Sequence, residues 1–309
     1  MAKKKHTQTV TLSDGRKIDI HRMSTWQYMV QHKWLYVLFL PGFLYFILFK
    51  YVPMGGLVIA FKDYKITRGI EGSNWSNPWY KWFLNFFTDP YFGRLLKNTF
   101  LISGLTILFG FPAPIILALM INEVRNSAFK RTVQTITYMP YFISMVVLCG
   151  LLKTFCMQDG MFSQIVEMFG GRGQNFLANP KYFRTIYVLS DIWSGIGWNS
   201  IIYLAALSSI DQEQYEAARV DGANRFQQML HITLPGLVPT IMILFILRMG
   251  NILNVGYEKI LLLYNSATYS TADVISTYTY RLSFGGSGNP MYSKSTAIGL
   301  FNTIINVCF

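Results

Sequence analysis

Six apolar stretches, each close to the length that crosses a bilayer as a helix, dominate this chain of 309 residues. A crossing takes about 20 residues of helix. Lipid offers no partners to free backbone groups, so stretches of this kind fold as helices packed side by side. The first runs from Trp34 to about Phe61 and is interrupted by Pro41, Lys50, Pro53 and Gly55-Gly56. The second covers about Asn98 to Ile121 with Pro112 and Pro114, and the third about Thr132 to Leu152 with Pro140 inside. The fourth spans about Phe183 to Leu207 and the fifth about Leu237 to Tyr257. The sixth starts near Thr296 and is still apolar at Phe309, so this helix is expected to continue beyond Phe309 in the intact protein. Prolines at this density predict a bent bundle, because neighbouring helices can satisfy the backbone groups that a proline frees.

Composition agrees. Charged residues make up 14% of the chain, against about 25% in soluble domains, and the mean hydropathy is +0.30. That excludes intrinsic disorder, which needs low hydrophobicity and high charge. Three cysteines, Cys149, Cys156 and Cys308, exclude a disulfide scaffold; the first two read as core residues. The net charge of +12 is spread between the apolar blocks, with Lys3-Lys4-Lys5 the longest basic run. Charges placed this way flank spans and meet anionic headgroups, so no nucleic-acid partner is expected.

Residues 1–33 are polar and place no apolar run directly after the basic start, which a signal peptide would do. They read as a cytoplasmic tail, followed by a membrane domain over 34–309. The connections are then 62–97, 122–131, 153–184, 208–236 and 258–295, the second and fourth on the tail's side. Lys and Arg are only slightly denser on that side, a weak orientation signal. Trp75, Trp79, Tyr80, Trp82, Phe83, Phe86, Phe87, Tyr91 and Phe92 crowd the first outer connection. They suit an interfacial helix at headgroup depth or a platform for stacking sugars.

One connection differs from the rest. Residues 208–239 read SSIDQEQYEAARVDGANRFQQMLHITLPGLVP. Asp211 is a plausible N-cap for a helix over Gln212–Val220, and Gly222 stands where a C-cap glycine belongs. Asn224–His231 makes a second short helix, and Leu234-Pro235 and Pro239 open the fifth span. A polar knob of this length exceeds what a simple connector needs.

Glu216-Ala217-Ala218, Gly222, Ile232 and Leu234-Pro235 reproduce, at every fixed position and spacing, the EAA loop of the permeases of binding-protein-dependent ABC importers, which this sequence therefore resembles. Asp221-Gly222-Ala223 and Ile232-Thr233-Leu234-Pro235 look like the carbohydrate branch of those permeases. Leu40–Tyr64, Gly250–Tyr264 and Ala297–Phe301 resemble the subgroup that imports complex oligosaccharides in Gram-positive bacteria. The match covers roughly 34–309.

The resemblance implies an all-α polytopic membrane protein of six transmembrane helices with the type I importer fold, in the bacterial plasma membrane with a cytoplasmic N-terminus. It implies a coupling loop at Glu216, Ala217, Ala218, Asp221, Gly222, Ile232, Leu234 and Pro235 that docks on an ATPase. The implied partners are a second permease completing a heterodimer, two ATP-binding cassette subunits and an extracellular solute-binding lipoprotein, with a sugar as cargo. ATP and Mg would be bound by the ATPase subunits and no cofactor by this chain.

The rest of the sequence agrees with a non-enzyme. It contains no GxxxxGK[ST] phosphate loop. Gly285-Gly286-Ser287-Gly288 lacks the lysine and reads as an outer turn. His6, His21, His32 and His231 do not fall at metal-ligand spacing, so no metal site is expected.

Ionisable groups at membrane depth are costly and face the bundle interior. Asp191 and Arg248 lie roughly 24 Å and 18 Å along their helices from Leu207 and Gly236, taking about 1.5 Å per residue. They are therefore expected at similar depth, as a structural pair or on the border of a hydrated pathway. Trp193, Trp198, Asn199 and Tyr203 on the fourth span, and Asn251, Asn254 and Tyr257 on the fifth, complete the candidate pathway. Rival readings are a permease for a peptide or amino acid, a membrane enzyme acting on lipid-linked sugars, and an ion-coupled secondary transporter.

Overall fold

The computed structural model describes residues 7–11, 17–21, 25–285 and 290–308, with side chains from Tyr28 onward. Lys3-Lys4-Lys5, His6 and the turn expected at 286–288 lie outside the described residues. The chain divides into two units, residues 1–58 and 59–309.

The first unit holds an antiparallel ribbon of Thr7–Thr11 and Lys17–His21, in register from Thr7 opposite His21 to Thr11 opposite Lys17. The sequence reading contained no such ribbon, although Asp14-Gly15 in the connecting sequence is a hairpin dipeptide. Helices Thr25–Gln31 and Lys33–Phe46 follow, the second with Pro41 inside it.

Among the described residues from Ile59 onward, the regular structure is helical apart from one isolated bridge, Lys62 with Trp75. Among the described residues, four helical segments are long and apolar enough to cross a membrane: Lys33–Phe61, Phe92–Glu123, Met145–Met168 and Arg225–Met249. Pro180–Ser208, at 29 residues, and Tyr292–Cys308 add the fourth and sixth crossings.

Prolines leave a repeated mark on these helices. Wide π-helical turns occur at Ile47–Tyr51, Thr106–Gly110 and Met229–Thr233. Each stands just ahead of a proline: Pro53, Pro112 with Pro114, and Pro235. Proline lacks an N–H, and its ring crowds the carbonyl four residues back. A widened preceding turn admits it without ending the helix.

Two spans differ from the sequence reading. The third is not one helix. Ser127–Tyr138 and a 3-10 turn at Met139–Phe142 end before Ser144, which caps a separate helix, Met145–Cys156. Pro140 explains the break: it cannot continue the first helix, and the Ser144 hydroxyl accepts from the Val147 N–H to start the second. The fifth begins earlier and ends earlier than expected. The stretch Asn224–His231 is not a separate helix but the first turns of Arg225–Met249, which stops at Gly250. Asn251, Asn254 and Tyr257 consequently lie beyond the helix end, and Tyr257 opens a short helix to Leu263.

Cys149 and Cys156 are buried in the main core with Ile102, Phe183, Tyr187 and Ile260. Gly197 sits where Pro180–Ser208 crosses Ser127–Tyr138, so close that a Cβ there would collide with the Thr137 carbonyl and the Tyr138 ring. Phe86 is buried against Phe92 and Phe301 while Trp75 and Trp79 remain exposed, so the aromatic cluster is divided between core and surface. Trp82 donates to the Ser76 hydroxyl at 2.9 Å, and Lys81 pairs with Asp63 at 3.0 Å.

A polar frame ties segment 258–295 to the long helices. Buried Asp273 takes both arms of Arg281 at 2.8 and 2.7 Å. The Asn98 amide donates to the Asp273 carbonyl at 2.9 Å, and Arg184 donates to Asn98 Oδ1 at 2.7 Å. Asp89, just ahead of the second span, receives Lys294 Nζ and the Tyr278 hydroxyl, both at 2.6 Å. Burial works against the charged Asp89 carboxylate. The bonds from Lys294, Tyr278 and the Tyr91 N–H outweigh it and hold the group below the usual carboxylate range.

Candidate coupling loop and transmembrane groove

The loop that stood apart in sequence folds as a capped, exposed helix joined to the fifth span. Asp211 accepts from the Glu213 N–H at 3.0 Å and starts Gln212–Val220. At the other end Gly222 adopts φ +80°. Its N–H reaches the Arg219 carbonyl at 3.1 Å, and the Ala223 N–H reaches the Ala218 carbonyl at 2.8 Å. This is a Schellman termination, which needs a left-handed residue at that position. Asn224 then caps the next helix in a reciprocal box with Gln227, at 2.9 and 2.8 Å.

Three contacts fix this knob to the span. The Tyr215 hydroxyl lies 3.0 Å from Thr233 Oγ1. Gln228 donates to the Ala223 carbonyl at 2.8 Å. Ile210 packs so tightly on Gly236 that a Cβ there would come within 2.6 Å of its Cδ1. Thr233 is the last residue of the π turn that admits Pro235. Ile232, Leu234 and Pro235 thus form the joint, while Glu216, Ala217, Asp221 and Gly222 are exposed at the tip. Val220 and Phe226 leave 88% and 67% of their surfaces uncovered, an apolar tip on an otherwise polar loop.

Inside the bundle, two cavities of about 210 and 220 Å³ share Thr106, Asp191 and Arg248 in their walls. The first also takes Asn199 and Tyr203. The second takes Asn251 and Asn254 from the turn after Met249. Six of the nine expected pathway residues therefore meet along one groove. The other three do not. On Pro180–Ser208 the groove face contains residues 191, 195, 199 and 202, and Trp193 falls on the far side, in the wall of an apolar cleft with Leu151 and Phe155. Trp198 stacks flat on Tyr141 at 4.7 Å. Tyr257 stands beside Tyr280, ring centres 6.1 Å apart.

Asp191 and Arg248 share the groove, as their depth suggested, but they are not the ion pair. The Asp191 carboxylate is 3.4 Å from Lys259 Nζ, and the Lys259 side chain is 3% exposed. The sequence reading missed this lysine. Its one signal is a cation directly before Ile260-Leu261-Leu262-Leu263.

The chain has a clear relation to known proteins. Residues 110–309 match the family of binding-protein-dependent transport system inner membrane components. The chain belongs to this family. This permease is 45% identical over 276 residues to Protein LplB of Bacillus subtilis, covering 89% of this chain and 85% of that protein. It is 44% identical over 280 residues to the polygalacturonan/rhamnogalacturonan transport system permease protein YteP of the same organism, covering 90% and 86%. Among solved structures the permease matches a chain of a bacterial alginate ABC transporter in complex with an alginate pentasaccharide-bound periplasmic protein. The TM-score is 0.83 and the identity 44%, over 92% of this chain and 93% of that one. The fold is thus that of an ABC importer permease with six membrane crossings, the architecture expected from the sequence.

Proposed function

We propose that this permease is the membrane subunit of an ATP-driven importer for an oligosaccharide, forming half of a heterodimeric pathway that works by alternating access. A second permease supplies the other half, two ATPase subunits bind ATP and Mg, and an extracellular solute-binding lipoprotein delivers the sugar. The N-terminal tail and the loop 208–239 face the cytoplasm. Similarity to an alginate importer and to a polygalacturonan/rhamnogalacturonan permease supports a sugar as cargo.

The observation that carries the mechanism is the construction of the loop. Gln212–Val220 presents Val220 and the exposed Glu216-Ala217 face outward, and Tyr215 holds it to Thr233 at the root of the fifth span. A force applied by the ATPase dimer at the tip is transmitted to the helix that carries Arg248 into the groove. The small side chains of Ala217 and Ala218 allow close approach of a docking cleft, and Glu216 is free to pair with a basic group across it. The pathway responds to nucleotide only through the difference in ATPase affinity for its two states.

Gly222→Pro tests this directly. Proline cannot take φ +80°, so the turn after the coupling helix must change. The expected result is a protein that reaches the membrane and retains its partners while ATP-driven uptake into proteoliposomes is lost. Unchanged uptake would rule out the coupling role.

A further inference from the structure

The groove has one more cation than its own acid can balance. Asp191 is its acidic wall residue, and Lys259 already engages it. Lys259 also donates to the Tyr187 carbonyl at 3.1 Å and sits 4.6 Å over the Tyr187 ring, so the chain itself uses this ammonium. Arg248 is different. It is in the wall of both cavities and exposed, and its side chain makes no hydrogen bond or ion pair among the described residues. A guanidinium at membrane depth is costly unless something pairs with it, and its five donors suit a carboxylate bidentately.

We infer that Arg248 binds a carboxylate of the cargo, so that the sugar carried is an acidic, uronate-bearing oligosaccharide. The inference rests on the sugar-permease reading above and narrows it to a charge class. Asn199 shares the first cavity with Arg248 and Asn251 the second; the Asn251 amide already donates to the Leu247 carbonyl at 3.1 Å, which leaves it one N–H for a hydroxyl group, beside the amide of Asn199. A neutral sugar would be served by those amides alone. Together the two cavities reach the range of small-ligand sites, about 300–1,000 Å³, enough for a short stretch of a chain in transit.

The test uses the assembled importer, this chain with its second permease and ATPases, in nanodiscs without the binding protein. The probes are trigalacturonate and its fully methyl-esterified form, which keeps the ring skeleton and removes the charge. The expected result is binding of the acid at least tenfold tighter than the ester, weakened by salt. Arg248→Gln should bring the acid down to the affinity of the ester and leave the ester unchanged, and Arg248→Lys should fall between. Equal binding of acid and ester, an unaltered acid affinity in Arg248→Gln, or binding of neither probe would overturn the assignment. So would loss of the second permease from Arg248→Gln, which would place the partner of Arg248 on that subunit. A wild-type complex whose ATPase still responds to a sugar-loaded binding protein shows that the permease reading survives any of these results. A complex with no such response would remove that reading, and this inference with it.

Discussion

Tyr215, on the exposed helix Gln212–Val220, lies within hydrogen-bond distance, 3.0 Å, of Thr233, a residue 1% exposed at the root of the fifth span. The link spans 18 residues of sequence and crosses the turn at Gly222, so it joins the exposed helix of the loop to the buried start of the fifth span. Without it, Thr233 Oγ1 keeps only a long bond of 3.4 Å to the Gln228 carbonyl.

Tyr215→Phe should therefore separate hydrolysis from transport. The ring and its packing stay, and the bond to a buried hydroxyl goes, at a stability cost of about 1 kcal/mol. Sugar moved per ATP hydrolysed in proteoliposomes should fall, with expression and partner binding intact. An unchanged ratio would show that force reaches the span by another contact.

The pairing of Asp191 with Lys259 makes a distinctive mutational pattern. Asp191→Asn leaves a buried ammonium without its countercharge, a loss of about 3–5 kcal/mol for a fully buried pair, and less in this protein because Asp191 is 40% exposed. Adding Lys259→Met should restore much of the thermal stability, while a charge swap of Asp191 with Arg248 should restore none. Recovery by the swap would return the ion pair to Arg248.

Gly197 offers a purely steric test. Gly197→Val forces a branched side chain into the Thr137 carbonyl and Tyr138 ring, and overpacking of this kind costs about 1–3 kcal/mol. The detergent-solubilised protein should melt at a lower temperature, whereas Gly104→Ala, where a Cβ would meet nothing within 4 Å, should not change it. Equal behaviour of the two variants would contradict the close helix crossing.

Acid should weaken the polar frame around Asp89. The Asp89 carboxylate is held below its ordinary value of 3.8, so the folded state binds this proton less readily than the unfolded chain. The resulting stability is complete above about pH 3.8 and is lost as pH falls through the lower folded value. Asp89→Asn should be less stable than wild type at neutral pH, and the difference should shrink on acidification below that point. A constant difference across this range would mean that Asp89 does not stabilise the frame through its charge.

These features were not equally legible in the sequence. Asp211 and Gly222 act on backbone groups two and three residues away, so their spacing alone defined that cap and that turn, whereas the box of Asn224 with Gln227 was not read from the sequence. The depth of Asp191 and Arg248 followed from helical rise, because the helix is regular up to Met249. Asn251 and Asn254 reach the groove by a turn, not by the helix face assigned to them. The partner of Asp191 was hidden because Lys259 lies 68 residues away and arrives on a short helix that exists only because the fifth span stops at Gly250. Trp198 shares the side of Asp191 by periodicity, seven residues on, yet the 3-10 turn at Pro140 presents Tyr141 for it to stack against. The π turns escaped notice because an apolar stretch looks alike whether its turns are wide or regular; the prolines just after them were the available signal.

The central claim is that this permease works as one subunit of an ATP-driven assembly. Its most direct test is mass spectrometry of what copurifies with the chain from gently solubilised membranes. The account predicts a second permease and an ATP-binding cassette ATPase, with the ATPase lost and the second permease kept when Val220 and Phe226 on the loop tip are both replaced by aspartate. A wild-type chain that runs alone or only with itself in several mild detergents would contradict it.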